Sequence, residues 1–298
     1  MYYLLSMLIG CVVAGMIAIN GGLTSLYGVL GATVVIHIIG SVFAFTVILL
    51  CRKKLNITKN IPVWMFLGGA IGVLTTLANN FAFGKISMTS IVALGLFGQT
   101  LTSILIDSFG LFGMPKHKFN KYKLIGLVFA VIGMVVMMDD IENAVLIAIV
   151  FSIVAGVTIV LSRTVNANLS NKIGALQGSF INHFVGLPIT IAILFLFGQN
   201  EPIFTNFTIS PNPMIYIGGA LGVIVVMLFN ITVPKIQALN LTLLTFVGQV
   251  FTGLLLDIIT KQGYSKSTFY GGILIATGIF TNLILDYLKN KKENKAQG

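Results

Sequence analysis

The sequence predicts an all-α polytopic membrane protein, with ten transmembrane helices arranged as two inverted five-helix repeats. Three observations carry that prediction: an apolar composition, a motif that returns at constant spacing, and a one-sided placement of basic residues. Hydrophobic residues make up 56% of the chain and charged residues only 9%, against about 25% charged in soluble domains. Mean hydropathy is +1.00, which excludes a water-soluble class.

The recurring motif is GLFGQTLTSILID at 95–107, which returns as TFVGQVFTGLLLD at 245–257. Gly98, Gln99, Thr102 and Asp107 match Gly248, Gln249, Thr252 and Asp257 at a spacing of 150 residues. GGAIGV at 68–73 becomes GGALGV at 218–223, and Asn80 and Lys85 become Asn230 and Lys235. Nearer the N-terminus the spacing is 146, pairing Asn20, Gly28, Thr33, His37 and Gly40 with Asn166, Gly174, Ser179, His183 and Gly186. Gly126 and Gly133 align with Gly271 and Gly278.

Apolar runs of roughly the 20 residues a bilayer needs fall at 3–20, 28–50, 62–83, 87–107 and 122–138. A second set falls at 143–162, 173–198, 213–233, 237–259 and 269–288. The acidic break at 139–142 divides the chain into a first repeat, 1–140, and a second, 141–298, ending in a short basic tail. The run from Met1 reads as a first span rather than a removable signal, because the apolar stretch continues past Cys11. Cys11 and Cys51 form no metal or redox spacing.

With the N-terminus in the cytoplasm, 15 of the 18 lysines and arginines fall inside, Arg163 among them in the loop after span six. Only Lys85, Lys261 and Lys266 fall outside, so the positive-inside rule places both termini in the cytoplasm. Ser170 and Lys289 then face the cytoplasm, and Asn143 and Asn206 the exterior. Five is an odd number of spans, so the second half enters the membrane from the opposite side. That is the inverted repeat found in secondary transporters.

Asn20, GGAIG at 68–72 and GQTLTSILIDSFGLFGMPKHKF at 98–119 carry a family likeness. Through them the chain resembles a fused, ten-helix member of the drug/metabolite transporter superfamily, in its YdcZ-like branch of inner-membrane exporters. The second half departs from the pattern, keeping Asp257 but reading ITKQG at 259–263. The resemblance implies a multi-pass protein of the bacterial cytoplasmic membrane that moves a small molecule. It does not carry over the proton-for-cation mechanism of the small multidrug transporters, whose first-helix glutamate has no counterpart beside Asn20 and Thr24.

An amide in hydrocarbon needs a partner, so Gln99 and Gln249 either bind substrate or tie helices together. They are expected to face each other near the midplane with His37 and His183 beside them. Thr102, Thr252, Asn20 and Asn166 complete the candidate substrate cavity, with a helix-terminal role open for the two asparagines. Asp107 and Asp257 stand at helix C-termini, where the macrodipole disfavours an anion, and are expected to be water-accessible. Lys116, Lys118, Lys121 and Lys123 are the candidate partners of Asp107, and Lys261 and Lys266 those of Asp257. Either aspartate is a static clasp or a gate latch. No catalytic or metal-ligating constellation and no cofactor motif appears. Basic residues without interleaved aromatics exclude nucleic acid as a partner. The reading is a secondary-active exporter of a small organic metabolite by alternating access, with membrane lipid around it and protons or ions as candidate coupling species. The alternatives are a membrane scaffold or a lipid-carrier flippase. Monomer and homodimer both remain open.

Overall fold

Hydrocarbon offers backbone N–H and C=O groups no partners but one another, so apolar runs of this length fold as helices. The computed structural model describes residues 1–55, 57, 60–86, 88–117, 123–137 and 143–259, with short stretches between 270 and 285. Among them there is no sheet. The helices are α1 (Tyr2–Leu50), α2 (Leu67–Ala82), α3 (Met88–Phe109), α4 (Lys123–Met137), α5 (Asn143–Ile173), α6 (Ala175–Phe197), α7 (Pro202–Thr205), α8 (Gly218–Thr232) and α9 (Ala238–Ile259). Six helical segments are long and apolar enough to cross a bilayer among the described residues. The tenth expected span falls largely outside them. One described residue of that stretch, Gly278, lies against Phe129 and Gly126 of α4.

The first two expected spans form α1, which breaks at Gly28 with φ 80° and ψ 175°. Its matched residue, Gly174, joins α5 to α6 with φ 102° and ψ 151°. Both conformations are ones that glycine adopts without a Cβ penalty, so the two halves turn on the same device.

Glycines set the helix crossings. A Cβ at Gly10 in α1 would fall on the Thr245 carbonyl of α9, and one at Gly248 on the Met7 carbonyl. A Cβ at Gly156 in α5 would fall on the Gly95 carbonyl of α3, and one at Gly98 on the Ile153 carbonyl. These are one contact set with the halves exchanged. It recurs at the histidines, where the His183 ring lies over Gly40 and the His37 ring over Gly186. Equivalent helices also meet head to tail. Ser103 bonds Thr242 at 2.8 Å, while Asp107, four residues on, reaches Ala238, four residues back. α3 and α9 therefore run antiparallel.

Two apolar clusters are likewise matched. Leu23, Tyr27, Val35, Ile215 and Tyr216 pack in one; Leu169, Ile173, Ile181, Met65 and Phe66, their counterparts at 146 and 150, pack in the other. The Tyr27 and Tyr216 hydroxyls bond at 2.8 Å, satisfying both polar tips within an otherwise apolar contact.

One boundary differs from the sequence expectation. Span six was expected to end at 162, with Arg163 in a loop, but α5 continues to Ile173. Nothing between 163 and 173 stops a helix, and the breaking glycine comes only at 174. Arg163 therefore lies about 15 Å, at 1.5 Å per residue, from the helix end and is buried. The excess of basic residues on one side does not depend on it.

Candidate functional site

α1, α2, α5, α6 and α8 line a cavity of about 100 Å³. Most of its wall consists of matched pairs: Met16 with Ser162, Asn20 with Asn166, Ile36 with Asn182, His37 with His183, Gly72 with Gly222, Thr75 with Val225 and Thr76 with Val226. The cavity thus sits where the two halves exchange. Gly72 and Gly222 leave room for it, and the flanking polar groups are anchored. Ser162 Oγ donates to the Gly68 carbonyl at 2.8 Å, and Asn166 Nδ2 donates to Asn182 Oδ1 at 2.7 Å and to Ser162 Oγ at 3.2 Å. Thr75 Oγ1 donates to Thr158 at 2.9 Å.

The histidines stand side by side, ring centroids 5.8 Å apart. His37 Nδ1 is 2.8 Å from the Thr33 carbonyl and His183 Nδ1 3.0 Å from that of Ser179. A carbonyl only accepts, so Nδ1 carries the proton in each ring, which leaves Nε2 as the acceptor of the neutral form. Asn20 and Asn166 take matched places in the two halves. Their amide oxygens lie against Gly218 and Gly68 in the first turns of α8 and α2, while both residues line the cavity. Asn20 Oδ1 is buried without a hydrogen-bond partner.

The glutamines do not share this cavity. Gln99 and Gln249 line a separate void of about 30 Å³ with Asn79, Gly95 and Gly156. Both line that void, but the histidines belong to the other cavity, and only Ile159 lines both. The reason is the glycine crossings, which bring α3 and α9 against α5 and α1 so closely that little space remains. Thr102 turns back to its own helix, donating to the Gly98 carbonyl at 2.8 Å, and neither Thr102 nor Thr252 lines either space.

Asp107 has a partner that its place in the sequence does not suggest. Its two carboxylate oxygens accept from the backbone N–H groups of Ala238 and Leu239, each at 3.0 Å. The positive end of α9 therefore complements the carboxylate charge. The side chain is only 5% exposed, because docking on a helix terminus covers it. It borders a vestibule of about 230 Å³ with His117, Lys235 and Gln237. Lys118, Lys121 and the Lys123 side chain fall outside the described residues, as do the Asp257 side chain, Lys261 and Lys266.

Sequence reasoning missed Arg163. Its Nη2 donates to Thr242 Oγ1, to the Ala238 carbonyl at 3.3 Å and to Ser103 Oγ at 3.5 Å. The guanidinium carbon lies 5.3 Å from the Phe229 ring centre, and both residues line the main cavity. Matched positions give no sign of Arg163, because its counterpart is Ile17. The signal that could have found it was Asn166, aligned with an intramembrane asparagine one turn further on.

Comparison with known proteins agrees with this architecture. A family model described as "Putative inner membrane exporter, YdcZ" matches twice, over residues 1–136 and 147–284. A solved crystal structure superposes with a TM-score of 0.63 at 16% identity, covering 95% of this chain and 96% of its own. At that identity the likeness speaks for the fold alone. No curated protein matches the sequence. Since the matches together span nearly the whole chain, the protein belongs to the YdcZ family of inner-membrane exporters.

Proposed function

We propose that this protein exports a small organic molecule by alternating access, with the two halves, 1–140 and 141–298, forming an inverted repeat around the central cavity. Family membership makes it a multi-pass inner-membrane exporter, which is not an enzyme class. The observation that carries the finer reading is the cavity's position, walled by matched pairs between two matched apolar clusters. The antiparallel run of α3 against α9 supports the inversion. Each cluster serves as one seal. Because the two share five equivalent positions, opening either disrupts apolar contact at matched places, and a two-state carrier needs such a balance. A scaffold would use the glycine crossings equally well, but has no use for a cavity walled by matched pairs from the two halves. One of 100 Å³ suits a small molecule better than a lipid headgroup with its chains.

The test uses Thr76→Cys, on the cavity wall, in a background lacking Cys11 and Cys51. Lys172→Cys and Asn206→Cys, both at exposed positions, report the cytoplasmic and external faces. Ser170, expected to serve as the cytoplasmic reporter, is unsuitable because its side chain is buried. Alternating access predicts that a small impermeant thiol reagent reaches position 76 from both sides, and each reporter from one. Labelling of position 76 from one side only, or of position 206 solely from the cytoplasm, would overturn the reading. The paired amides are assigned to the moving interface between halves. Gln99→Leu or Gln249→Leu is accordingly expected to slow transport while folded yield stays near wild type. Normal transport by both variants would reduce them to packing residues.

A further inference from the structure

The cavity wall departs from its own pairing at one charged position. Arg163 stands where the first half has Ile17, and Phe229 beside it stands where the first half has Asn79. We propose that the cavity binds small organic carboxylates, with Arg163 as the anion-binding group, and that such acids are the exported class. This rests on the cavity being the transport site.

A guanidinium inside a bundle is retained only when something compensates it. Here Nη2 is held by two hydroxyls and a carbonyl, all neutral. Nη1 is buried with no hydrogen-bond partner, a position in which a charged donor is costly to leave. Asp107 is near enough for its charge to act on Arg163, but both its oxygens accept from the α9 backbone, so it supplies no hydrogen bond to Nη1. Ala238 stands between the two, giving its N–H to Asp107 and its carbonyl to Arg163. The guanidinium is thus positioned by a helix terminus and left with a free donor. A carboxylate matches that need, because arginine binds it with charge-assisted, directional hydrogen bonds.

The rest of the wall selects in the same direction. Among the described residues no carboxylate lines the cavity, so an organic cation would meet Arg163 without a carboxylate on the wall to pair with. Phe229, Val225 and Val226 form an apolar surface next to the charge, suited to the body of an aromatic or branched aliphatic acid. Asn20 Oδ1, also unpartnered, can accept a hydrogen bond from a hydroxyl or amide on the same molecule.

The experiment measures the melting point of purified full-length protein in detergent with benzoate, phenylacetate or isobutyrate, beside benzamide and benzylamine at equal ionic strength. The carboxylates are expected to raise it saturably, and the neutral and cationic analogues are not. Arg163→Met should weaken carboxylate binding about tenfold or more, and Arg163→Lys should retain part of it. Should Arg163→Met fail to fold, protection of Thr76→Cys from thiol labelling by benzoate, with Arg163 intact, gives the same answer. No saturable effect from any of the three acids overturns the proposal, as does an equal effect from benzamide. Protection of position 76 by benzylamine or benzamide alone would leave the cavity as the transport site and remove only the anion assignment. Failure of position 76 to label from both sides would remove the transport reading itself.

Discussion

Replacing Gly156 by alanine is expected to destabilise the folded protein by about 2 kcal/mol or more, the upper range for forced overpacking. The added Cβ would fall on the Gly95 carbonyl and close on the Gln99 nitrogen. Those are backbone atoms of a neighbouring helix, so no rotamer change can clear them and α3 must move away from α5. In a membrane that separation loses the close backbone approach from which helix association draws its energy. Gly98→Ala, which would meet the Ile153 carbonyl across the same crossing, should behave alike. So should Gly10→Ala and Gly248→Ala at the equivalent crossing of α1 and α9. Gly15→Ala is the control. Nothing lies within 4 Å of its added Cβ, so it should be neutral or slightly stabilising through helix propensity. Melting points of detergent-purified variants followed by size-exclusion decide the matter. If Gly156→Ala melted with Gly15→Ala, the crossings would not be the structural constraint argued above.

Asp107→Asn is expected to lose about 2 kcal/mol, within the range for hydrogen bonds to a charged group, and to open the cytoplasmic side. The carboxylate accepts from two consecutive N–H groups at the start of α9. An amide can satisfy one of them, but turns its own NH2 toward the other, and it removes the charge that complements the helix terminus. The same turn of α9 holds Arg163 through Ala238 and Thr242, so loosening it frees one wall of the cavity together with the α3–α9 contact. Thr76→Cys should then label faster from the cytoplasm and more slowly from outside. Asp257, at the matched position, is assigned the equivalent latch, and Asp257→Asn should shift labelling the opposite way. Unchanged labelling in both variants would leave the Asp107 contact as a static cap.

Hydropathy and recurrence are properties of the chain alone, which is why the helical class, the paired motifs and the family could be read without coordinates. Apolar runs in hydrocarbon have one way to satisfy their backbone, and matched glycines at 28 and 174 or 98 and 248 report matched geometry wherever they stand. What a side chain meets is another matter, because it depends on helices far apart in sequence. Sequence proximity points Asp107 to the lysines next to it, whereas the fold also brings it the N-terminus of a helix that begins 131 residues later. Gln99 and His37 were placed together because both are polar and both are repeated, yet the glycine crossings put them in different spaces. Arg163 was treated as a loop charge, since a cation in hydrocarbon alone costs about 2.5–3.5 kcal/mol. The fold gives it two hydroxyls, a carbonyl and an aromatic face, and so keeps it inside. Burial of polar groups is decided by partners, and only the tertiary structure brings those partners together.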